Sequence, residues 1–390
     1  MKAPRFLTVA LLPIVGCNAL VHPGLLHTNA DFTRIRSYVK AKTDPWYTGW
    51  EKLAAHANAD YTPGAAAVVC RGASWCNPEN YPVLYRDIAA AYANAIYWQV
   101  TGDTAYGDAA AAILDAWSGT LTTVTGSSDK YLAAGLYGYQ LANAGEVLRG
   151  YGGWSGLDSL IDMMQAVFLP MNSDFLVNHN GAVIDHYWAN WDLCNIASLH
   201  AIGVLADNQT AINQAVNYFK SGVGMGALNN AIWTIHTEDT SGKHLGQVQE
   251  AGRDQGHSLL DIALLGVIGQ QAYNQGEDLF ALEDNQILAG AEYVFKYNTG
   301  HDVPFTTYSN SQGTATSISS SGRGGIRPIA ELIYAHYNGV RGLNVSWTGE
   351  YRDVVVEDGN GAEGGGGDYG STSGGYDQLG FGTLLFRLDD

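Results

Sequence analysis

The sequence predicts an all-α chain folded as an (α/α) toroid of six to seven helical hairpins, and three observations carry that expectation. Long stretches of helical periodicity alternate with short Gly, Asn, Asp and Ser punctuation. One helix of each pair is apolar nearly all round, as in Leu132–Leu148 and Ser258–Ala272, while its partner is amphipathic, as in Ala105–Trp117. Strand-like runs are rare ahead of the C-terminus. A helix apolar on every side must be buried on every side. Repeated buried and half-buried pairs therefore imply an inner ring of helices within an outer ring, joined by short connections around one closed core. A stacked α-solenoid is the competing layout, but no fixed repeat period or recurring motif supports it.

The elements follow in order. Lys2 and Arg5, the apolar run Phe6–Val15 and the small-residue site Cys17-Asn18-Ala19 read as a secretory leader over residues 1–19, leaving one domain over 20–390 in an extracellular protein. Helices are expected at Ala30–Lys42, Trp46–Ala57, Tyr81–Thr101, Ala105–Ser118, Lys130–Arg149, Leu157–Phe168, Tyr187–Ala206, Thr210–Ser221, Gln247–Tyr273, Ala281–Tyr297 and Pro328–Tyr337. Gly300–Ile326 is a long Ser/Thr/Gly-rich loop of the kind that carries function. A glycine-rich stretch, Gly359–Gly375, precedes the apolar Tyr376–Arg387, which reads as a short irregular or β-like segment that docks and closes the domain.

Composition narrows the partners. The 390 residues are 46% hydrophobic and 15% charged, with 23 Tyr, 10 Trp and 10 Phe, which is incompatible with a disordered chain. A net charge of −18 disfavours nucleic acid and anionic membranes. It also disfavours a polyanionic sugar unless the few Arg and His side chains gather in one cleft. Once Cys17 leaves with the leader, Cys70 and Cys76 are spaced for a small disulfide in an oxidising compartment. Cys194 then remains as a buried thiol. Asn208-Gln-Thr210 and Asn344-Val-Ser346 are glycosylation acceptors. The histidines lack metal-like spacing, so neither a metal nor another cofactor is expected, and a monomer is.

Three helix starts gather polar groups. The first is Asp185-His186-Tyr187-Trp188-Ala-Asn190-Trp191-Asp192, preceded by Asn178-His179-Asn180. The second is Gln249-Glu250-Ala-Gly-Arg253-Asp254-Gln255-Gly-His257, with Glu250, Arg253 and His257 at i, i+3 and i+7 on one helical face. The third is Arg323-Gly-Gly-Ile-Arg327-Pro328, leading to Glu331, Tyr334 and Tyr337. Charged groups opening an otherwise apolar helix are costly unless they are partnered or line a cavity. Ion-paired caps would explain each start singly; three of them suggest a shared site. Trp188 and Trp191 could stack on a sugar or pack in the core, and Tyr308, Tyr334 and Tyr337 are all candidate hydroxyls, with Tyr308 on the long loop.

These motifs, with His22-Pro-Gly-Leu-Leu-His27, Tyr273-Asn-Gln-Gly276-Glu-Asp278 and Asp302-Val-Pro-Phe305, resemble the alginate lyase superfamily of toroidal polysaccharide lyases, and most of all polysaccharide lyase family 38. The resemblance spans nearly the whole mature chain. It implies an (α/α) toroid and metal-independent β-elimination on a 1,4-linked uronan, alginate or glucuronan. That chemistry needs a group that neutralises the uronate carboxylate, a base for the C5 proton and an acid for the departing O4. Carried over position by position, His257 and Glu250 resemble the neutralising group, with Arg253 and Gln255 beside them. His186 and Asn190 match a motif whose His can act as base, and Arg323 or Arg327 would hold carboxylate. The catalytic tyrosine is Tyr308 or Tyr334, with Tyr337 as a further sugar contact. Asp185 stands where related lyases often carry Asn. An ionised Asp185 would repel the substrate, leaving Asn178, Asn180 or Asn190 to supply the amide. A toroidal glycoside hydrolase and a non-catalytic glycan-binding protein are the alternatives.

Overall fold

A computed structural model describes residues 19–388. The expected leader falls outside them except for Ala19. Helices α1 (Asn29–Ala41), α2 (Trp46–His56), α3 (Tyr81–Thr101) and α4 (Thr104–Ser118) come first, with strand β1 (Val68–Arg71) between α2 and α3. Strand β2 (Thr123–Gly126) leads into α5 (Lys130–Leu148), α6 (Leu157–Met163), α7 (Leu169–Asn178), α8 (Ala189–Leu205), α9 (Gln209–Ser221) and α10 (Leu228–Ala231). The hairpin β3 (Ile232–Thr237) and β4 (His244–Val248) precedes α11 (Gln255–Asn274) and α12 (Leu282–Asn298). A second hairpin, β5 (Tyr308–Asn310) and β6 (Gly313–Ala315), is followed by α13 (Ala330–Tyr334), α14 (Ser346–Asp358) and α15 (Gly382–Leu385).

The toroid follows from which helices can tolerate solvent. Every residue of α8 except Trp191 is buried, as is all of α5 but Lys130 and Leu132. The inner ring runs α3–α5–α8–α11–α13, and α15 and α2 close it back onto α3. The amphipathic helices cover it: α4 on α3, α7 and α9 on α8, α12 on α11, and α14 on α12 and α13. One continuous apolar cluster fills the space between the rings. Among the described residues, no helix is long and apolar enough to cross a membrane.

The differences from expectation are local. The helix expected over Gln247–Tyr273 is three pieces: strand β4, a 3-10 turn at Gln249–Gly252, and α11. Asp254 breaks it, with φ −169 and ψ 164, and its side chain caps the His257 N–H. Glu250, Arg253 and His257 therefore do not share one helical face; two of them precede the helix. The third expected helix continues past Tyr334 as a π-turn to Val340. Helices α7 and α14 and the three two-stranded sheets were not legible as periodic segments. The C-terminal segment is irregular, with a single bridge between Gly365 and Gly380.

Candidate active site

The start of α8 and the turn before α11 are built as one unit. The first N–H groups of a helix lack intrahelical partners and carry its positive end. In α8 they are satisfied from the second motif. Ala189 N donates to Gln249 Oε1 at 2.9 Å, and Asn190 N donates to Glu250 Oε1 at 3.0 Å. The other Glu250 oxygen accepts from Arg253 Nη1 at 2.6 Å, which compensates a carboxylate that is fully buried. Arg253 lies 5.2 Å over the Trp188 ring, a cation–π contact. Asp261, also fully buried, has no donor on either oxygen and lies within hydrogen-bond reach of the Glu250 carboxylate. Burial and the neighbouring Glu250 push its carboxyl well above the usual range, which favours its protonated form beneath the pair.

The β5–β6 hairpin folds back over this unit. Its Tyr308 hydroxyl accepts from Gln249 Nε2 at 2.8 Å and lies 3.6 Å from Met225 Sδ. Burial pushes that hydroxyl up, against the pull of Gln249, so Tyr308 is protonated at neutral pH. At the hairpin tip, Ser311 N donates to Asp185 Oδ2, and Gln312 Nε2 donates to both His186 O (3.0 Å) and His186 Nδ1 (2.9 Å). The carbonyl fixes which end of the amide faces the ring. His186 Nδ1 is thus an acceptor, and a neutral His186 carries its proton on Nε2. Where β6 crosses the turn only a glycine fits: a Cβ on Gly252 would stand 2.4 Å from Ala315 Cβ. Trp188, Gln249, Arg253, Tyr308 and Gln312 line the resulting cavity of about 240 Å³.

Beside Arg253, Asp254 holds His257 in the opposite tautomer. Its Oδ2 lies 2.7 Å from His257 Nδ1, so that nitrogen donates and Nε2 is left as a free acceptor. Although burial pushes the Asp254 carboxyl up, its bonds to the His257 ring and N–H and the nearby Arg253 hold it below the usual range. Asn190 is 2% exposed, and its Oδ1 has no partner. Its carboxamide is therefore uncommitted at the helix start.

Not every residue singled out from sequence joins this group. Tyr337 is fully buried and donates to Phe280 O at 2.9 Å, a core tyrosine closed to substrate. Tyr334 packs 3.9 Å from the Arg352 guanidinium and borders a separate depression of about 690 Å³. Arg323 lies 3.9 Å over the Tyr297 ring and donates to Tyr297 O and His301 O, so it staples the loop. Buried Gln255 does the same, bonding Ala251 O, Ser319 O and Asn298. Asn178 bonds Asp174, Asn180 bonds the Tyr187 hydroxyl, and Trp191 packs against Phe175 and Tyr187. Arg327 Nη1 is engaged by Gly374 O, Asp377 and Gln378 of the C-terminal segment. Cys70 and Cys76 form a disulfide, and Cys194 is free and buried. Asn208 Oδ1 caps α9, whereas Asn344 is exposed.

Sequence reasoning passed over Gln249, Gln312 and Asp254 as catalytic support. Gln249 and Asp254 lay within a quoted motif, so their type was visible but their direction was not. Gln312 sits in unremarkable loop sequence, and only the fold brings it to the site.

Comparison with known proteins completes the picture. The family described as Alginate lyase matches residues 77–303, more than half of the chain. No curated protein sequence matches. Among solved structures, an alginate lyase from Bacteroides ovatus is similar at 11% identity and a TM-score of 0.59, covering 95% of this chain and 100% of that one. Alginate lyase A1-III complexed with a tetrasaccharide is similar at 13% identity and a TM-score of 0.56, over 94% of this chain and 98% of that one. The same enzyme from Sphingomonas species A1 is similar at 15% identity and a TM-score of 0.53, over 83% and 92%. At such identities the structural likeness speaks for the toroidal fold alone. The family match, spanning most of both helical layers and two of the three polar helix starts, says more: this chain belongs to the alginate lyase family and is a polysaccharide lyase.

Proposed function

We propose that the protein is a secreted lyase that cleaves a 1,4-linked uronan, alginate or glucuronan, by metal-independent β-elimination, and that its motifs place it nearest family 38. The observation that carries this reading is the cavity itself. A Tyr308 hydroxyl and an Arg253 guanidinium face one hollow over Trp188. His186 adjoins it through Gln312 and His257 through Asp254 beside Arg253, the two rings held in opposite tautomers, and the start of α8 carries an uncommitted Asn190 amide.

The elimination breaks the C5–H bond, forms a C4–C5 double bond and breaks the C4–O4 bond, with O4 taking up a proton. The C5 proton is acidic only while the adjacent carboxylate charge is offset. Arg253 and the Asn190 amide are placed to do that without the repulsion that Asp185 would bring. The free Nε2 of His257 is the acceptor for the C5 proton, its ring oriented by Asp254 as a general base is oriented in other His–carboxylate pairs. The protonated Tyr308 hydroxyl, with the Nε2–H of exposed His186 at the rim, is the donor for O4. Trp188 offers an apolar platform to a sugar face.

Incubation with polymannuronate, polyguluronate and glucuronan, followed by the ultraviolet absorbance of the conjugated uronate end, tests the reading. An absorbance rise on at least one polymer is expected. Release of reducing sugar without that absorbance, or binding without turnover, would overturn it.

A further inference from the structure

The arginines of the polar helix starts all have a carboxylate within 4.0 Å, but elsewhere this acidic chain leaves positive charge without one. Three arginines of the described residues have no carboxylate within 4.0 Å: Arg36, Arg71 and Arg86. Arg36 and Arg86 are exposed, where water serves them. Arg71 is not. The residue is half-buried, with its guanidinium carbon 4.9 Å over the Tyr81 ring and 5.7 Å over Tyr137. Of its five N–H donors only one Nη1 is used, donating to the Tyr137 hydroxyl at 3.2 Å. Neither of the other two nitrogens, Nε and Nη2, is sealed from solvent. Removing a cation from water without an anion beside it is expensive. The nearest negative groups act at longer range, and the foremost of them, Asp377, is already shared with Arg327 and His257.

The surrounding chain holds the Arg71 backbone in place. Arg71 ends β1, which pairs in parallel with β2, and Arg71 stands opposite Gly126. Gly126 has φ +137, and a Cβ there would fall 1.7 Å from the Arg71 carbonyl oxygen. The Cys70–Cys76 disulfide closes a ring around the next residues. That ring carries Trp75, 71% exposed, the most solvent-open tryptophan of the described residues. A cation with free donors, set beside two tyrosine rings and followed four residues on by an open indole, matches a sugar that bears a carboxylate.

Resting on the lyase reading, we propose that Arg71 is a second carboxylate-binding subsite, away from the bond that is cleaved. It takes a neighbouring uronate of the same polymer, with Trp75 offering a stacking face to the sugar. The Arg71–Tyr81–Tyr137 arrangement then adds affinity and register for the chain without joining the proton transfers.

The test is equilibrium binding of a uronan oligosaccharide and of its carboxyl-reduced counterpart, by calorimetry, in a Tyr308→Phe background that suppresses turnover. Arg71→Gln is expected to weaken the acidic oligosaccharide about tenfold, the worth of one charge-assisted contact, while leaving the reduced one unchanged. Arg71→Lys should recover most of the loss. Trp75→Ala should weaken both ligands alike. In the otherwise native enzyme, Arg71→Gln should raise KM on the polymer while kcat stays within about twofold, since the subsite binds ground and transition states equally. Equal loss of both ligands in Arg71→Gln, or unchanged binding of the acidic one, would overturn the subsite. A native chain that makes no unsaturated product on any uronan would sink the lyase reading instead, and the binding comparison would still decide Arg71.

Discussion

Replacing Asp254 by Asn isolates the orientation of His257 from everything else Asp254 does. Asp254 has two separate tasks: Oδ1 accepts the His257 N–H at 2.9 Å as the cap of α11, and Oδ2 faces His257 Nδ1 at 2.7 Å. Asparagine caps a helix about as well as aspartate, so the first task survives and the amide oxygen stays on the backbone N–H. The amide nitrogen must then face Nδ1 and donate to it, which moves the ring proton to Nε2 and removes the acceptor. A correctly oriented general base contributes about 10²–10⁴-fold to rate. Turnover should therefore fall by about 10³-fold in kcat, with KM changed little. Stability should drop by only about 1–2 kcal/mol, from exchanging one charge-assisted bond for a neutral one. The assay pairs initial rates of unsaturated-uronate formation with a thermal melt. A D254N enzyme that keeps native kcat would refute the assignment of His257 as base. One that loses activity only in proportion to lost fold would reduce Asp254 to a cap.

Other outcomes follow from the same geometry. Tyr308→Phe should lower kcat by about 10²-fold or more while melting close to native, because the lost Gln249 bond contributes only about 1 kcal/mol; activity within twofold of native would remove Tyr308 from the chemistry. Acid should unfold the protein through its buried histidines. Burial lowers His27 and His200 from 6.5 to about 4, so the unfolded chain binds more protons, and stability is lost as pH falls from 6.5 towards 4 by about 3 kcal/mol for each. Denaturant midpoints that stay flat across that window would contradict it. Replacing Cys70 and Cys76 together with Ser should cost about 2 kcal/mol, because the ring they close is short, and an unchanged melting point would show the constraint to be idle.

The fold was legible because burial leaves a periodic trace. Helices such as α5, α8 and α11 are apolar on all sides and so must be enclosed, and without a repeat period to favour a solenoid an inner ring satisfies that pattern. The site was only partly legible because its logic is one of direction. Residues Gln249 to His257 looked like a continuous helical face, and the extended backbone at Asp254 turned them into a turn plus a capped helix start. Tyr337 and Tyr308 are indistinguishable as residue types. What separates them is that one hydroxyl donates to Phe280 O inside the core while the other hangs from a hairpin whose return crosses Gly252. Arg323 and Gln255 stood in the right motifs and turned out to be staples, because the loop that bears Tyr308 has many backbone carbonyls to satisfy and few of its own partners to do it.

A chain of net charge −18 that acts on a polyanion poses an electrostatic contradiction unless charge is local. At physiological salt, exposed charges more than about 8 Å apart are largely screened, so the bulk of the acidic surface is felt weakly inside a cleft. What a bound uronate feels is its immediate neighbours. Near the start of α8 these are the helix's positive end, whose N–H groups meet Gln249 and Glu250, and Arg253, whose charge Glu250 matches. Burial and Glu250 disfavour a second negative charge at Asp261, raising its carboxyl well above the usual range. An ionised carboxylate at Asp261 would oppose substrate binding from below, and its ionisation is disfavoured by the same burial that makes α11 an inner helix. Burial that disfavours ionisation of such a carboxyl group thus suits an acidic protein proposed to act on an acidic polymer. Exchanging Asp261 for Asn, neutral at every pH, should leave KM unaltered at neutral pH, whereas a KM that falls markedly would mean that Asp261 carries charge after all.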